Sequence, residues 1–108
     1  MHSKVKGYRV ERKIRILFEK SGWKVVRAGA SLGEADLICI KNKKCVLIQV
    51  KSTNKKTFYF YDNIFKTIEG FPLFLVVDFG YNKIRILPPQ KKVSPIDGEP
   101  LKSFLTKQ

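Results

Sequence analysis

Two short apolar runs, Ala35–Ile40 and Cys45–Val50, stand on either side of the polar segment Lys41-Asn42-Lys43-Lys44. Runs rich in β-branched and apolar residues, joined by so short a polar link, predict an antiparallel hairpin, and Asn42 tolerates the positive φ that a two-residue turn demands. With Asn42-Lys43 at the turn, Ile40 faces Cys45, Ile38 faces Leu47, Asp36 faces Gln49 and Glu34 faces Lys51. Side chains alternate between the faces of a strand, so Asp36, Ile38 and Ile40 share one face with Cys45, Leu47, Gln49 and Lys51. A carboxylate, an amide and an ammonium therefore collect at one end of a surface that is otherwise apolar. Both faces are apolar beyond that end, the pattern of central strands covered on two sides. Two explanations fit the polar cluster: a cross-strand salt bridge with a hydrogen-bonded amide, or a divalent-metal site for phosphodiester cleavage. Short motifs match by chance often, so the bare pattern favours the first.

Upstream, Val10, Ile14, Leu17 and Phe18 recur at helical spacing and predict a helix from about Lys4 to Ser21, with Ser3 as N-cap and Gly22 as its stop. At 100° per residue Glu11 lies only about 20° from Phe18 around the axis, bordering the apolar stripe. Arg15 one turn on, or Lys51, would explain that acid as an ion pair; aimed at the hairpin, it would be a second carboxylate of a metal site. Arg9, Arg12, Lys13 and Arg15 cover the rest of the circumference, as a solvated face or a track for phosphates. Trp23–Ala28 alternates like a first strand, and Gly29–Gly33 is a small-residue loop whose one hydroxyl, Ser31, is a candidate phosphate contact beside the commoner fate of facing solvent.

After Lys51 the chain is polar and basic, with Lys55 and Lys56, and then carries the aromatic run Phe58–Tyr61 without period-two polarity. Such rings stack on unpaired bases, fill a core patch or form a subunit interface. Asp62 reads as the N-cap of a short helix, Asn63–Glu69, ended by Gly70; Leu73–Phe79 reads as a buried strand and Lys83–Leu87 as an edge or half-exposed one stopped by Pro88-Pro89, with a last helical turn near Leu101–Leu105. The order predicts an α/β fold with a mixed sheet, in a single domain over residues 1–108.

At 108 residues and 44% hydrophobic content, the chain can bury one core without staples. Its 22 Lys and Arg against 9 acids leave a net charge of +13, which makes nucleic acid the leading partner, ahead of a ribosomal-type role without chemistry or a membrane surface. No run is long and apolar enough to span a bilayer, and Met1–Gly7 lacks the apolar segment of a signal peptide. Cys39 and Cys45 fall on opposite sheet faces and should stay unpaired, and His2 is the one histidine, so zinc is not expected. An intracellular, reduced protein is expected, with no small-molecule cofactor, whose metal would be a hard cation held by oxygens.

Glu11 on the first helix, Asp36, and Gln49-Val50-Lys51 on the next strand resemble the nuclease signature of the restriction-endonuclease-like superfamily, a Glu followed by Pro-Asp and then Asp or Glu-x-Lys. Val10-Glu11-Arg12, Val25–Ser31, Ala35-Asp36-Leu37-Ile38 and Leu47–Ser52 more narrowly resemble the archaeal-type Holliday junction resolvases, a likeness covering roughly the first half of the chain. The resemblance implies a restriction-endonuclease-like mixed five-stranded sheet flanked by helices, a homodimer, and a four-way DNA junction cut with Mg²⁺, for which Mn²⁺ could substitute. By its pattern Glu11, Asp36 and Gln49 would hold the metal, Lys51 would orient the attacking water or offset charge on the phosphate, and Ser31 would assist near the cleaved bond. Arg12 and Arg27 match basic positions that contact backbone phosphates, and Arg9, Lys55 and Lys56 would extend that contact. The chain departs from the pattern at Gln49, where the family carries Glu or Asp, and at Ala35, which stands for Pro. A Gln-x-Lys form resembles Mrr-type restriction nucleases, but a neutral amide brings one fewer negative charge to the cation unless Glu34 or Glu11 compensates. A Mrr-like general nuclease, or a catalytically silent basic DNA-binding protein of the same fold, are the alternatives.

Overall fold

The computed structural model describes residues 2–29 and 33–107. Helix α1 (His2–Lys20) leads into β1 (Lys24–Arg27), and a hairpin of β2 (Leu37–Lys41) and β3 (Lys44–Ser52) follows. Ser3 lies inside the helix instead of capping it, because α1 already begins at His2. The C-terminus of α1 ends where expected, at Gly22 with φ of 92°. Trp23 N donates to Phe18 O and Gly22 N to Glu19 O, both at 3.1 Å, the paired bonds of a Schellman stop. The hydrophobic contact that accompanies such a stop is the Phe18–Trp23 ring pair, edge-on at 5.7 Å.

The hairpin register is as expected from Leu37↔Ile48 to Lys41↔Lys44, and Asn42 and Lys43 take φ of 50° and 67°, the left-handed pair of a tight hairpin turn. Beyond β3 come the two-residue strands β4 (Phe58–Tyr59) and β5 (Thr67–Ile68), the long β6 (Phe71–Asp78), β7 (Ile84–Leu87), β8 (Lys92–Val93), β9 (Glu99–Pro100) and helix α2 (Leu101–Lys107). The main sheet runs β1-β2-β3-β6-β7-β9, with β5 on the edge of β6; β3 and β6 are parallel and the other pairs antiparallel. The five strands expected from the sequence form its body, and β5 and β9 extend it.

Parallel β3 and β6 require a long crossover, and its form differs from expectation. No helix forms over Asn63–Glu69: Thr67 and Ile68 pair with Pro72 and Phe71, and Glu69 and Gly70 take φ of 51° and 86° to make a second tight turn. So short a helix is marginal without tertiary support, and a β-branched pair beside a Gly turn favours the hairpin. Asp62 consequently caps nothing and is free to pair elsewhere. The aromatic run does alternate: Phe58 and Phe60 pack inward with Leu75, Val77, Phe79 and Val93, while Tyr59 and Tyr61 point out and stack at 6.5 Å. The difference between phenyl and phenol carries the period that polarity alone hid. Strand β7 is not the edge either, because β9 pairs with it and Arg85 reaches the carbonyls of Asp97 and Gly98 at 2.9 Å.

One sheet face packs under α1 and α2, where Ile14, Phe18 and Trp23 meet Leu37, Cys39, Ile48, Val76, Leu101 and Phe104. The opposite face carries Leu47 and Leu73 with Ala28 and Ala35. Cys39 and Cys45 are unpaired, and burial pushes the Cys39 thiol up to about 12. Among the described residues no helix is long and apolar enough to cross a membrane.

Because Lys43 bears a Cβ in a left-handed conformation, Lys43→Gly should stabilise the protein by about 0.5–1 kcal/mol in urea unfolding. A loss of stability would show that the turn does not hold this register.

Candidate active site at the end of the hairpin

At Asp36 the chain leaves the regular ladder. Its N–H still donates to Ile48 O at 2.8 Å, and its carbonyl accepts from Ala28 N at 2.9 Å, but its side chain then takes over. Asp36 Oδ2 accepts the Val50 N–H at 2.7 Å, the place in the ladder that a main-chain carbonyl of the neighbouring strand would otherwise fill. The pairing expected for Asp36 with Gln49 and Glu34 with Lys51 therefore does not continue. Glu34 instead comes to Gln49, whose Nε2 donates to Glu34 Oε2 at 3.4 Å. Lys51 finds Asp62 on the crossover, with Nζ 3.6 Å from Oδ2.

The electrostatics follow from this placement. Burial pushes the Asp36 carboxyl above its ordinary value of 3.8; the Val50 N–H opposes that shift, Glu11 adds to it, Lys51 opposes it and Glu34 adds to it. Acids from the first helix and from the loop before β2, and the lysine of β3, thus act on one carboxylate. Gln49 is 4% exposed, and its Oε1 is buried with no hydrogen-bond donor among the described residues. A buried amide oxygen of this kind is suited to accept from a donor or to bind a cation. Among the described residues no three His, Cys, Asp or Glu side chains converge closely enough to hold a metal by themselves. Asp36 with the Gln49 amide oxygen nonetheless fits a hard divalent cation in kind, since every donor is oxygen.

Glu11 is half-buried, and its Oε1 accepts from Arg27 Nε at 2.7 Å; its partner is neither Arg15 nor Lys51. The Arg27 guanidinium in turn lies 5.6 Å from the centre of the Tyr8 ring. Arg9 and Arg12 are exposed on α1, and Lys55 and Lys56 are exposed in the bend after β3. Ser31 lies outside the described residues. Sequence reasoning missed Asp62 as the partner of Lys51, because the crossover around it was read as helical. It also passed over Asp78, a buried acid whose Oδ2 holds Lys13 Nζ at 3.1 Å and whose Oδ1 accepts Gly80 N at 2.8 Å, tying α1 to the end of β6. An acid closing an apolar strand was the available signal. Beside Glu34 an open cleft of about 650 Å³ runs between Gly33 and the segment Asn63–Glu69, with the Phe65 ring in its wall.

The model of the archaeal Holliday junction resolvase (Hjc) family matches residues 2–92. The chain belongs to the archaeal Holliday junction resolvase family. Among solved structures, the Hjc of Archaeoglobus fulgidus, described as a Holliday junction resolvase from an archaeal hyperthermophile, is similar in fold with a TM-score of 0.71. The likeness covers 94% of this chain and 96% of that one at 16% identity. No curated protein sequence matches the chain significantly. Membership of the resolvase family and the mixed α/β fold expected from the hairpin motif are thus both established, and the family match extends past the hairpin through the crossover and β6.

A carboxyl held above 3.8 in the folded state binds its proton more tightly there than in the unfolded chain, so stability falls as pH rises from 3.8 through the raised value. Asp36→Asn keeps an oxygen for Val50 N–H and removes the charge. It should therefore raise the metal-free melting temperature at neutral pH, with a gain that shrinks as pH is lowered towards 3.8. A variant that melts lower at neutral pH would contradict the strained-carboxylate reading.

Proposed function

We propose that this chain is a metal-dependent, structure-selective DNA endonuclease that resolves four-way junctions by paired phosphodiester hydrolysis, acting as a homodimer. The observation that carries the reading is the polar end of the hairpin: a destabilised Asp36 carboxylate, an unpartnered Gln49 oxygen and Lys51 lie together on a chain of net charge +13 in the resolvase family. Among the described residues no cation is bonded to Asp36 and Gln49 Oε1 has no donor, which supports the metal-site reading although Lys51 pairs with Asp62 and Gln49 Nε2 with Glu34.

Asp36 and the Gln49 amide oxygen would hold Mg²⁺, with Glu11 approaching from α1 when its Arg27 partner turns to phosphate. Bound there, the cation would polarise the scissile phosphate and lower the pKa of an attacking water; Mn²⁺ would serve as a substitute. The ionised state that binding requires is the one burial disfavours, so cation affinity would be coupled to deprotonation of Asp36. Lys51, whose ammonium is loosely held by Asp62 at 3.6 Å, is placed to offset charge that develops on the phosphoryl oxygens. Ser31, which lies outside the described residues, would assist near the cleaved bond.

Arg9, Arg12 and Arg27, with Lys55 and Lys56 across the site, would grip the phosphate backbone. Contacts of that kind position DNA without reading bases, as recognition of a branch by shape requires. Each chain carries one such site, whereas resolution needs two cuts, which is the chemical reason for a dimer.

The test compares the wild-type protein with Lys51→Ala on a labelled four-way junction in Mg²⁺, with binding measured separately in EDTA. Cleavage should fall by at least about 10²-fold in the variant, while junction affinity changes little. Retained cleavage would overturn the role given to Lys51. Tight binding with no cutting by the wild-type protein in either Mg²⁺ or Mn²⁺ would support the binding-only alternative.

A further inference from the structure

A Gln49 in place of a carboxylate leaves the candidate cation site one negative charge short, and Glu34 is the acid in contact with that amide. The two ends of the buried Gln49 amide differ: Nε2 donates to Glu34 Oε2 at 3.4 Å, and Oε1 meets no donor among the described residues. An ionised carboxylate accepts hydrogen bonds and offers none, so only the amide nitrogen can turn to Glu34. The same contact therefore settles which end of Gln49 is left as an unfilled acceptor. Glu34 arrives there because Asp36 diverts the strand, closing the ladder with its own side chain.

The competing acid is Glu11, but its Oε1 is held by Arg27 at 2.7 Å. Among the described residues no cation pairs with Glu34, since Lys51 is engaged by Asp62 and Arg27 by Glu11. Glu34 also lines the open cleft of about 650 Å³ and is reachable by ions and substrate from that side.

We propose that Glu34 supplies to the cation site the negative charge that Gln49 lacks, and that Gln49 Nε2 positions it. The carboxylate usual on β3 has in effect moved across the hairpin to the loop before β2, where one amide links the two positions. The inference rests on the reading of the chain as a metal-dependent nuclease, and its test is chosen so that the two can fail separately.

Mn²⁺ binding to the full chain without DNA is measured by calorimetric titration for wild type, Glu34→Gln, the charge-swapped double variant Glu34→Gln with Gln49→Glu, and Asp36→Asn. Glu34→Gln should weaken Mn²⁺ binding by about tenfold or more, and the swap should recover most of that loss because the total charge is restored. In EDTA, junction affinity of Glu34→Gln should hold or rise, since an anion near the DNA has been removed. An unchanged melting temperature for Glu34→Gln would tie the loss to the charge and not to the fold. Mn²⁺ binding by Glu34→Gln as tight as wild type, or a swap no better than the single change, would overturn the assignment of Glu34 while leaving the nuclease reading intact. Wild-type protein that takes up no Mn²⁺, or Asp36→Asn that binds it undiminished, would overturn both.

Discussion

The hydrogen bond from Val50 N–H to Asp36 Oδ2 is the contact on which the site's arrangement depends. A carboxylate takes the place of a peptide carbonyl at the end of a β-ladder, so the main chain of β3 is satisfied while the strand opposite is released from register. That release puts Glu34 beside Gln49, leaves Lys51 to Asp62, and holds Asp36 in a half-buried pocket that raises its pKa. One bond of 2.7 Å thus joins completion of the sheet to the placement of a cluster of charged and polar side chains.

The remainder of the structure steadies that end of the hairpin. Helix α1 is fixed at its C-terminus by the Phe18–Trp23 stop and along its length by the Ile14 and Phe18 contacts on the sheet. Two ion pairs aim its polar side: Lys13 to buried Asp78 at the end of β6, and Glu11 to Arg27 at the end of β1. The first removes one positive charge from the helix surface and anchors it. The second holds an acid near Asp36 while keeping it partly neutralised, and presents the paired arginine where a phosphate could compete for it. Arg9 and Arg12 on the helix and Lys55 and Lys56 after β3 are exposed, and among the described residues none of them is in an ion pair, so they add to the positive field of the surface.

What could be read from the sequence was set by local rules. The turn at Asn42-Lys43, the alternation of Leu37–Ile40 and Cys45–Val50, and the Gly22 stop are each decided within a few residues, and all three stand as expected. The segment Asn63–Glu69 reads as a helix in the sequence because so short a mixed stretch suits a helix as well as a turn, and pairing with β6 decides between them. Ladder alternation likewise carried the site one step too far. It correctly placed Asp36, Gln49 and Lys51 at one end of the hairpin, but it could not foresee that a side chain would replace a main-chain acceptor, so Glu34 was paired with Lys51 in place of Gln49. Asp62 and Asp78 take their roles from contacts across the fold, at sequence separations where no periodicity carries information.

The most direct measurement is incubation of the wild-type protein with a four-way junction and, in parallel, with a linear duplex of matching sequence, each in Mg²⁺ and in EDTA. Cuts confined to the junction, paired across it and absent in EDTA, are predicted. Cleavage that persists in EDTA, or that proceeds equally on the linear duplex, would contradict a metal-dependent junction resolvase built on this hairpin.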